Sequence, residues 1–442
     1  MTDPEGVRAA IADAHRRVWA LVLAATVRVA GDLGLAEECV QEAYSSALTS
    51  WARDGIPKNP AAWLTTTARR RAVDAIRRER ALRAKLPLLV EPTESVEDSA
   101  MDERSSANED PQAAIPDDRL RLIFTCCHPA LPQDGQIALT LRLMCGISTP
   151  DIARAFLVPE ATMAARITRA KRKIAGARIP YRIPHTAELP DRLRAVLGVI
   201  HLLFSTGHTA PSGADLLRTD LVERALQLAR TLGDLMPDEP EVRGLLALLL
   251  VTDARRATRV DAAGRLVRLQ DQDRSRWDRT AIAEAHDLIV AGLRNDRPGR
   301  YLLQAAIASL YAQAPSYEQT DWSQIVAMYD ALLVVWPSPV VALNRAVPLA
   351  MVAGPQTALV EIERIEQDGS LPAYQYLPAV KGDLLSRLGR DHEAAIAYRQ
   401  ALQLTTNGAE RAFLAGRLAA TAEVTATPTD ADPGTSAPPG SR

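Results

Sequence analysis

Apolar positions along the chain recur mostly every three or four residues, the period of helices with one buried face. Val18, Leu21, Val22, Ala25 and Val29 form the first such stripe, and Asp32-Leu33-Gly34 interrupts it. A second helix is predicted from about Ala36 to Trp51, followed by a loop at Asp54-Gly55-Ile56-Pro57-Lys58-Asn59-Pro60, where glycine, proline and asparagine favour turns. A third begins near Ala61 and continues through a run of arginines to about Arg83. Residues 87–118 lose the period. They hold Pro87, Pro92, Pro111 and Pro116 among serines and acids, and such a stretch cannot bury enough apolar surface to offset its ordering entropy.

Helical periodicity returns over Arg119–Cys127 and Gln136–Cys145, where Gly146 ends it. Ser148-Thr149-Pro150-Asp151 then offers an N-cap, a first-turn proline and an early acid, which together start a helix over Asp151–Leu157. Val158-Pro159-Glu160 turns the chain into a last helix from about Ala161 to Ala175. From 186 to 420 amphipathic helix is nearly continuous, with short breaks. Near its end, Leu388-Gly389-Arg390, Ala394-Ala395, Tyr398 and Ala401 have a weaker counterpart in Ala353-Gly354, Ala358 and Ile362, offset by 35 to 36 residues. That is close to the ~34-residue tetratricopeptide period.

The predicted fold class is therefore all-α. It comprises a helical domain at 5–85, an acidic flexible linker at 86–118, a helix–turn–helix domain at 119–178, a tetratricopeptide-like helical extension at 186–420 and a disordered tail at 421–442. A chain of 442 residues is too long for one core. Aromatics supply only 4% of residues, so burial must rest on Ala, Leu, Val and Ile.

Charge changes this picture more than composition does. The net charge of −2 hides three blocks. Residues 69–85 carry a net +6, with Arg69, Arg70, Arg71, Arg77 and Arg78 among them. Residues 161–178 carry +6 with no acid, and residues 86–118 between them carry −9. Two basic blocks around an acidic spacer suggest two contacts with a polyanion.

The second basic block has recognition-helix geometry. Met163, Ile167, Ala170 and Ile174 make one apolar stripe facing Ile152, Ala153 and Phe156. Thr162, Arg166, Arg169 and Lys173 fall on another stripe about 100° round. An N-terminal half in the major groove would bring arginines to guanine edges or phosphates, with Lys171-Arg172-Lys173 against the DNA backbone. Residues 36–44, Ala36-Glu37-Glu38-Cys39-Val40-Gln41-Glu42-Ala43-Tyr44, read as an acidic amphipathic helix with Val40 and Tyr44 inward and Glu37, Glu38, Gln41 and Glu42 outward.

Taken in order, the acidic helix, then Ala62-Trp63-Leu64, then arginines ending in Asp74-Ala75-Ile76-Arg77-Arg78, then the helix–turn–helix, resemble the bacterial sigma-70 family, extracytoplasmic-function class, over roughly residues 5–178. The resemblance implies a non-enzymatic factor without a cofactor, whose partners are core RNA polymerase (the β′ clamp helices and the β subunit) and promoter DNA. Glu37, Glu38, Gln41 and Glu42 would contact polymerase. Asn59, Trp63, Arg69, Arg70, Arg71, Arg77 and Arg78 would act at the −10 strand, with the 54–60 loop near a flipped base. Thr162, Arg166, Arg169, Lys171, Arg172 and Lys173 would hold the −35 duplex. Glu38 replaces the usual Asp, and Arg70 stands where many members have Asn. Leu122–Pro129, Phe156–Met163 and Leu269–Trp277 resemble one subgroup, which has a tetratricopeptide-like extension and is typically encoded beside DGPF/YCII-type proteins. The extension would then regulate activity through a protein partner or an intramolecular contact.

Other constellations point less far. Cys126-Cys127-His128 with Cys145 lacks the spacing of a tetrahedral metal site, so the four thiols are read as free. Asp271-Gln272-Asp273-Arg274-Ser275-Arg276-Trp277 lacks the central glycine and later glutamate of a calcium loop. It reads as a polar junction tied by Asp–Arg pairs, or as a ligand or partner contact. The N-terminus lacks a secretory h-region and no apolar run reaches ~18 residues, so the expected compartment is the cytoplasm, with no membrane partner. Two other readings share these residues: a helix–turn–helix regulator with a tetratricopeptide-like sensor, and a scaffold or enzyme centred on 186–420.

Overall fold

The computed structural model describes residues 4–85, 118–156, 158–210, 216–262, 264–294 and 298–426. The linker at 86–117 and the tail from 427 lie outside the described residues. The chain divides into two compact units, 1–202 and 203–442. Both are helical, and an isolated antiparallel bridge joins Val260 and Leu266. No described helix is long and apolar enough to cross a membrane.

In the first unit α1 (Pro4–Ala30), α2 (Leu33–Asp54) and α3 (Pro60–Lys85) pack pairwise around Trp19, Val22, Leu23, Val40, Trp51 and Leu64. Asp32 makes the break between α1 and α2. Its side chain accepts the Leu35 N–H at 2.8 Å, so the second helix starts earlier than the apolar pattern implied. Asn59 plays the same part for α3, accepting the Ala62 N–H at 3.0 Å. Then follow α4 (Asp118–Cys126), α5 (Gln133–Leu139) with a π-helical continuation over Thr140–Met144, α6 (Thr149–Ala155) and α7 (Glu160–Gly176). Ser148 caps α6 and Pro150 lies in its first turn. The expected stripe of Met163, Ile167, Ala170 and Ile174 is buried, as are Ile152 and Ala153 on α6.

Helix α1 also packs on α4 and on the π-helical turn, so the two sequence domains form one body. The Trp19 indole donates to the Leu143 carbonyl at 3.1 Å. The Tyr181 hydroxyl lies 3.1 Å from the carbonyl oxygens of both Ala24 and Asp118. Gly146, at φ 66°, sits against His15 and Trp19, and a Cβ there would lie 2.7 Å from the His15 ring.

Helix α8 (Leu189–His208) leads into the second unit, which holds α9 (Thr219–Leu235), α10 (Pro240–Asp253), α11 (Arg279–Leu293), α12 (Arg300–Gln313), α13 (Trp322–Val335), α14 (Pro339–Val352), α15 (Pro355–Asp368), α16 (Tyr376–Arg387), α17 (Asp391–Leu404) and α18 (Gly408–Ala426). Two expectations need correction. Helix is interrupted from 254 to 278, where the chain makes three short 3-10 turns. Side-chain caps such as Asp273 to the Ser275 N–H hold that path. Helix α18 also runs on into the segment expected to be a tail, because Ala419-Ala420-Thr421-Ala422-Glu423 contains no breaker before Pro428.

Helices α10 and α12 meet backbone to backbone at Gly244, where a Cβ would stand 2.5 Å from the Leu302 nitrogen. Gly244→Ala is therefore expected to destabilise the second unit by roughly 1–3 kcal/mol. Gly416→Ala on α18, where the space is open, should stabilise by about 0.5–1 kcal/mol. Chemical denaturation of the two variants checks both signs.

Candidate nucleic-acid interface

Helix α2 presents Glu38, Gln41 and Glu42 to solvent but not Glu37, which is 5% exposed. This corrects the expectation of four outward groups. Glu37 lies in the helical register of Leu33, Val40, Tyr44, Ala47 and Trp51, all of them buried. Its carboxylate pairs with Arg142 Nε at 2.5 Å and Lys171 Nζ at 2.6 Å, and accepts from Gln41 Nε2 at 3.1 Å. Removing an ionised carboxylate from water costs several kcal/mol unless cations and donors surround it. Here two cations and an amide do so. Arg142 follows α5 and Lys171 lies on α7, 134 residues from Glu37 in sequence. Sequence reasoning missed Arg142, for which no local signal exists. Glu37 on the apolar stripe was a signal that could have been read.

The arginines of α3 divide between two faces. Arg69, Arg70 and Arg77, with Thr66, Val73, Asp74 and Val29 of α1, line a groove of about 440 Å³. Arg71 points elsewhere, to Glu42 Oε2 and the Ser46 hydroxyl, both at 2.5 Å. Arg78 is exposed. Trp63 is half-buried, its ring 5.7 Å from that of Trp51 and inclined at 72°, an edge-to-face contact. Asn59 is exposed, with its side-chain oxygen engaged in the cap of α3.

On α7, Thr162, Arg169, Arg172 and Lys173 are exposed. Arg169 Nε reaches the Ala165 carbonyl at 3.3 Å. Arg166 is partly covered and pairs with Asp134 at 3.4 Å, while Lys171 is turned to Glu37. The helix thus keeps one basic face in water, and its remaining cations bind the rest of the unit.

The cysteines are buried thiols. Burial pushes the Cys127 thiol up to about 12, although its Thr140 hydrogen bond opposes this. Burial, then Cys127 and Cys145, raise Cys126. Burial, then Glu42 and Glu38, raise Cys39. None of these three is a ready nucleophile. Among the described residues, no three His, Cys, Asp or Glu side chains cluster as a metal site would require.

Comparison with known proteins agrees with this geometry. Residues 13–82 match the family described as sigma-70 region 2, and residues 121–174 match sigma-70, region 4. Residues 192–292 match a family of unknown function, DUF6596. An uncharacterized protein of Rhizobium meliloti (strain 1021) is 43% identical over 416 residues, spanning 94% of this chain and 95% of the relative.

Proposed function

Because the chain belongs to the sigma-70 family, and so binds RNA polymerase and promoter DNA to start transcription, we propose that it is an extracytoplasmic-function sigma factor held in a closed form by Glu37. The observation that carries this is the pairing of Glu37 with Arg142 and Lys171. One carboxylate on the helix meant for polymerase is tied to a lysine on the helix meant for −35 DNA. Full use of both surfaces requires that contact to part.

In the open form Glu37 would join Glu38, Gln41 and Glu42 as an acidic face for the polymerase clamp. Lys171 would join Thr162, Arg166, Arg169, Arg172 and Lys173 on the −35 duplex. Arg69, Arg70 and Arg77 would guide the −10 strand along their groove, with Trp63 beside it, Asn59 at the start of α3 and Arg78 on phosphates, while Arg71 keeps its contacts with Glu42 and Ser46. The helical hairpins of the second unit suit a tetratricopeptide-like regulatory extension that binds a protein partner.

Binding to core polymerase tests the docking face. Glu38→Lys with Glu42→Lys is expected to abolish co-purification with core polymerase while duplex binding through α7 persists. Undiminished binding to core would instead favour a helix–turn–helix regulator that makes no use of this face.

A further inference from the structure

The crossing segment between α10 and α11 serves neither promoter nor polymerase in this account. Its four carboxylates, and Asp253 at the end of α10, are all engaged. Asp253 clasps Arg256 at 2.7 and 2.6 Å, Asp261 holds Arg265 at 2.8 Å and Asp271 holds Arg268 at 2.7 Å. Asp273 accepts from Ser275, and Asp278 caps α11 at the Ala281 N–H.

Arg255, Arg259, Arg274 and Arg276 form no ion pair with a described residue, and two of them, Arg255 and Arg274, meet at one indole, with Glu318 acting on Arg274 only at longer range. The Arg274 guanidinium lies over the Trp277 indole, 4.6 Å from the ring centroid. Its Nη1 donates to the carbonyls of Tyr311 and Ala314 at 2.8 and 2.7 Å, but its buried Nη2 has no partner. The Arg255 guanidinium stands 5.9 Å from the same indole and forms no hydrogen bond or ion pair with any described residue. The indole itself is fixed, donating to the Thr258 hydroxyl at 2.9 Å.

Two like charges thus share one aromatic ring. Burial, then Arg274, pushes Arg255 down to about 10, and Arg259 nearby donates to the His208 carbonyl and the Thr209 hydroxyl. Contact with the indole face offsets part of the repulsion. It leaves Arg274 Nη2 and the Arg255 guanidinium without acceptors, and an oxyanion supplies those in the planar geometry that guanidinium favours.

We propose that Arg255 and Arg274, set against Trp277, bind the oxyanion head of a small phosphorylated or carboxylated molecule, which makes the extension a ligand sensor. This goes beyond promoter recognition, and its test does not depend on polymerase.

The full chain is melted in chloride buffer, then with inorganic phosphate or acetate at matched ionic strength, while indole fluorescence is followed. A saturable rise in midpoint with either anion is expected. Phosphate alone would identify a phosphorylated ligand, and acetate alone a carboxylate. Arg255→Gln should melt no lower than the parent without anion, because an unpaired cation has been removed, and should bind the anion at least about tenfold more weakly. Arg274→Lys keeps the charge but loses the fork, and should weaken binding similarly, so it carries the test if the first variant fails to fold. Arg230→Gln, whose parent pairs with Glu284 away from this ring, should bind normally. The proposal is overturned if neither anion acts beyond chloride, or if Arg255→Gln and Arg274→Lys both bind like the parent.

Discussion

Lys171→Glu is expected to open the first unit and raise its affinity for core polymerase. The substitution sets a second carboxylate beside Glu37, which is already buried and within 2.6 Å of the lysine it would lose. Removing one partner of a buried ion pair costs about 3–5 kcal/mol, which shifts the equilibrium between closed and open forms by on the order of a hundredfold or more. Dyes placed on α2 and α7 should report lower energy transfer in the variant than in the parent. A double-mutant cycle with Glu37→Gln and Lys171→Met isolates the contact, and a coupling of roughly 0.5–3 kcal/mol is expected if the two groups act on each other. Additive effects, or unchanged transfer in Lys171→Glu, would mean that other contacts such as Trp19 to Leu143 hold the closed form alone.

The second large effect concerns the groove of α3. Arg70→Glu with Arg77→Glu reverses two charges that line it. Each lost phosphate contact should flatten the dependence of log affinity on log salt by about one unit. The double variant is therefore expected to bind forked −10 DNA far more weakly at low salt, with a slope smaller by about two. Arg71 offers the contrast, since it is spent on Glu42 and Ser46. Arg71→Gln should change the slope less than either groove reversal does. Fluorescence anisotropy across a salt series separates these cases.

Much of the fold was legible because its rules are local. The apolar stripe of α7, the Ser148 cap and the Pro150 start each need only a few neighbouring residues. The same locality explains what was misjudged. Glu37 read as an outward acid because acids usually face water, yet its place among Leu33, Val40 and Tyr44 carries it inward. Arg142 and Lys171, remote in sequence, supply the two cations that make that burial tolerable. Lys171 likewise lies four residues after Ile167 and three before Ile174, beside the buried stripe rather than opposite it. The non-helical path at 254–278 was hidden for a related reason. Its turns are held by side-chain pairs such as Asp253 with Arg256, which composition alone does not distinguish from pairs along a helix.

The most direct measurement is transcription from a reconstituted mixture of core polymerase, this chain and a promoter taken from its own genome, with start sites mapped. Discrete starts that need the chain are expected; they should disappear with Glu38→Lys plus Glu42→Lys and increase with Lys171→Glu where −35 contacts are dispensable. Starts no different from those of core polymerase alone, with duplex binding intact, would contradict the proposed function.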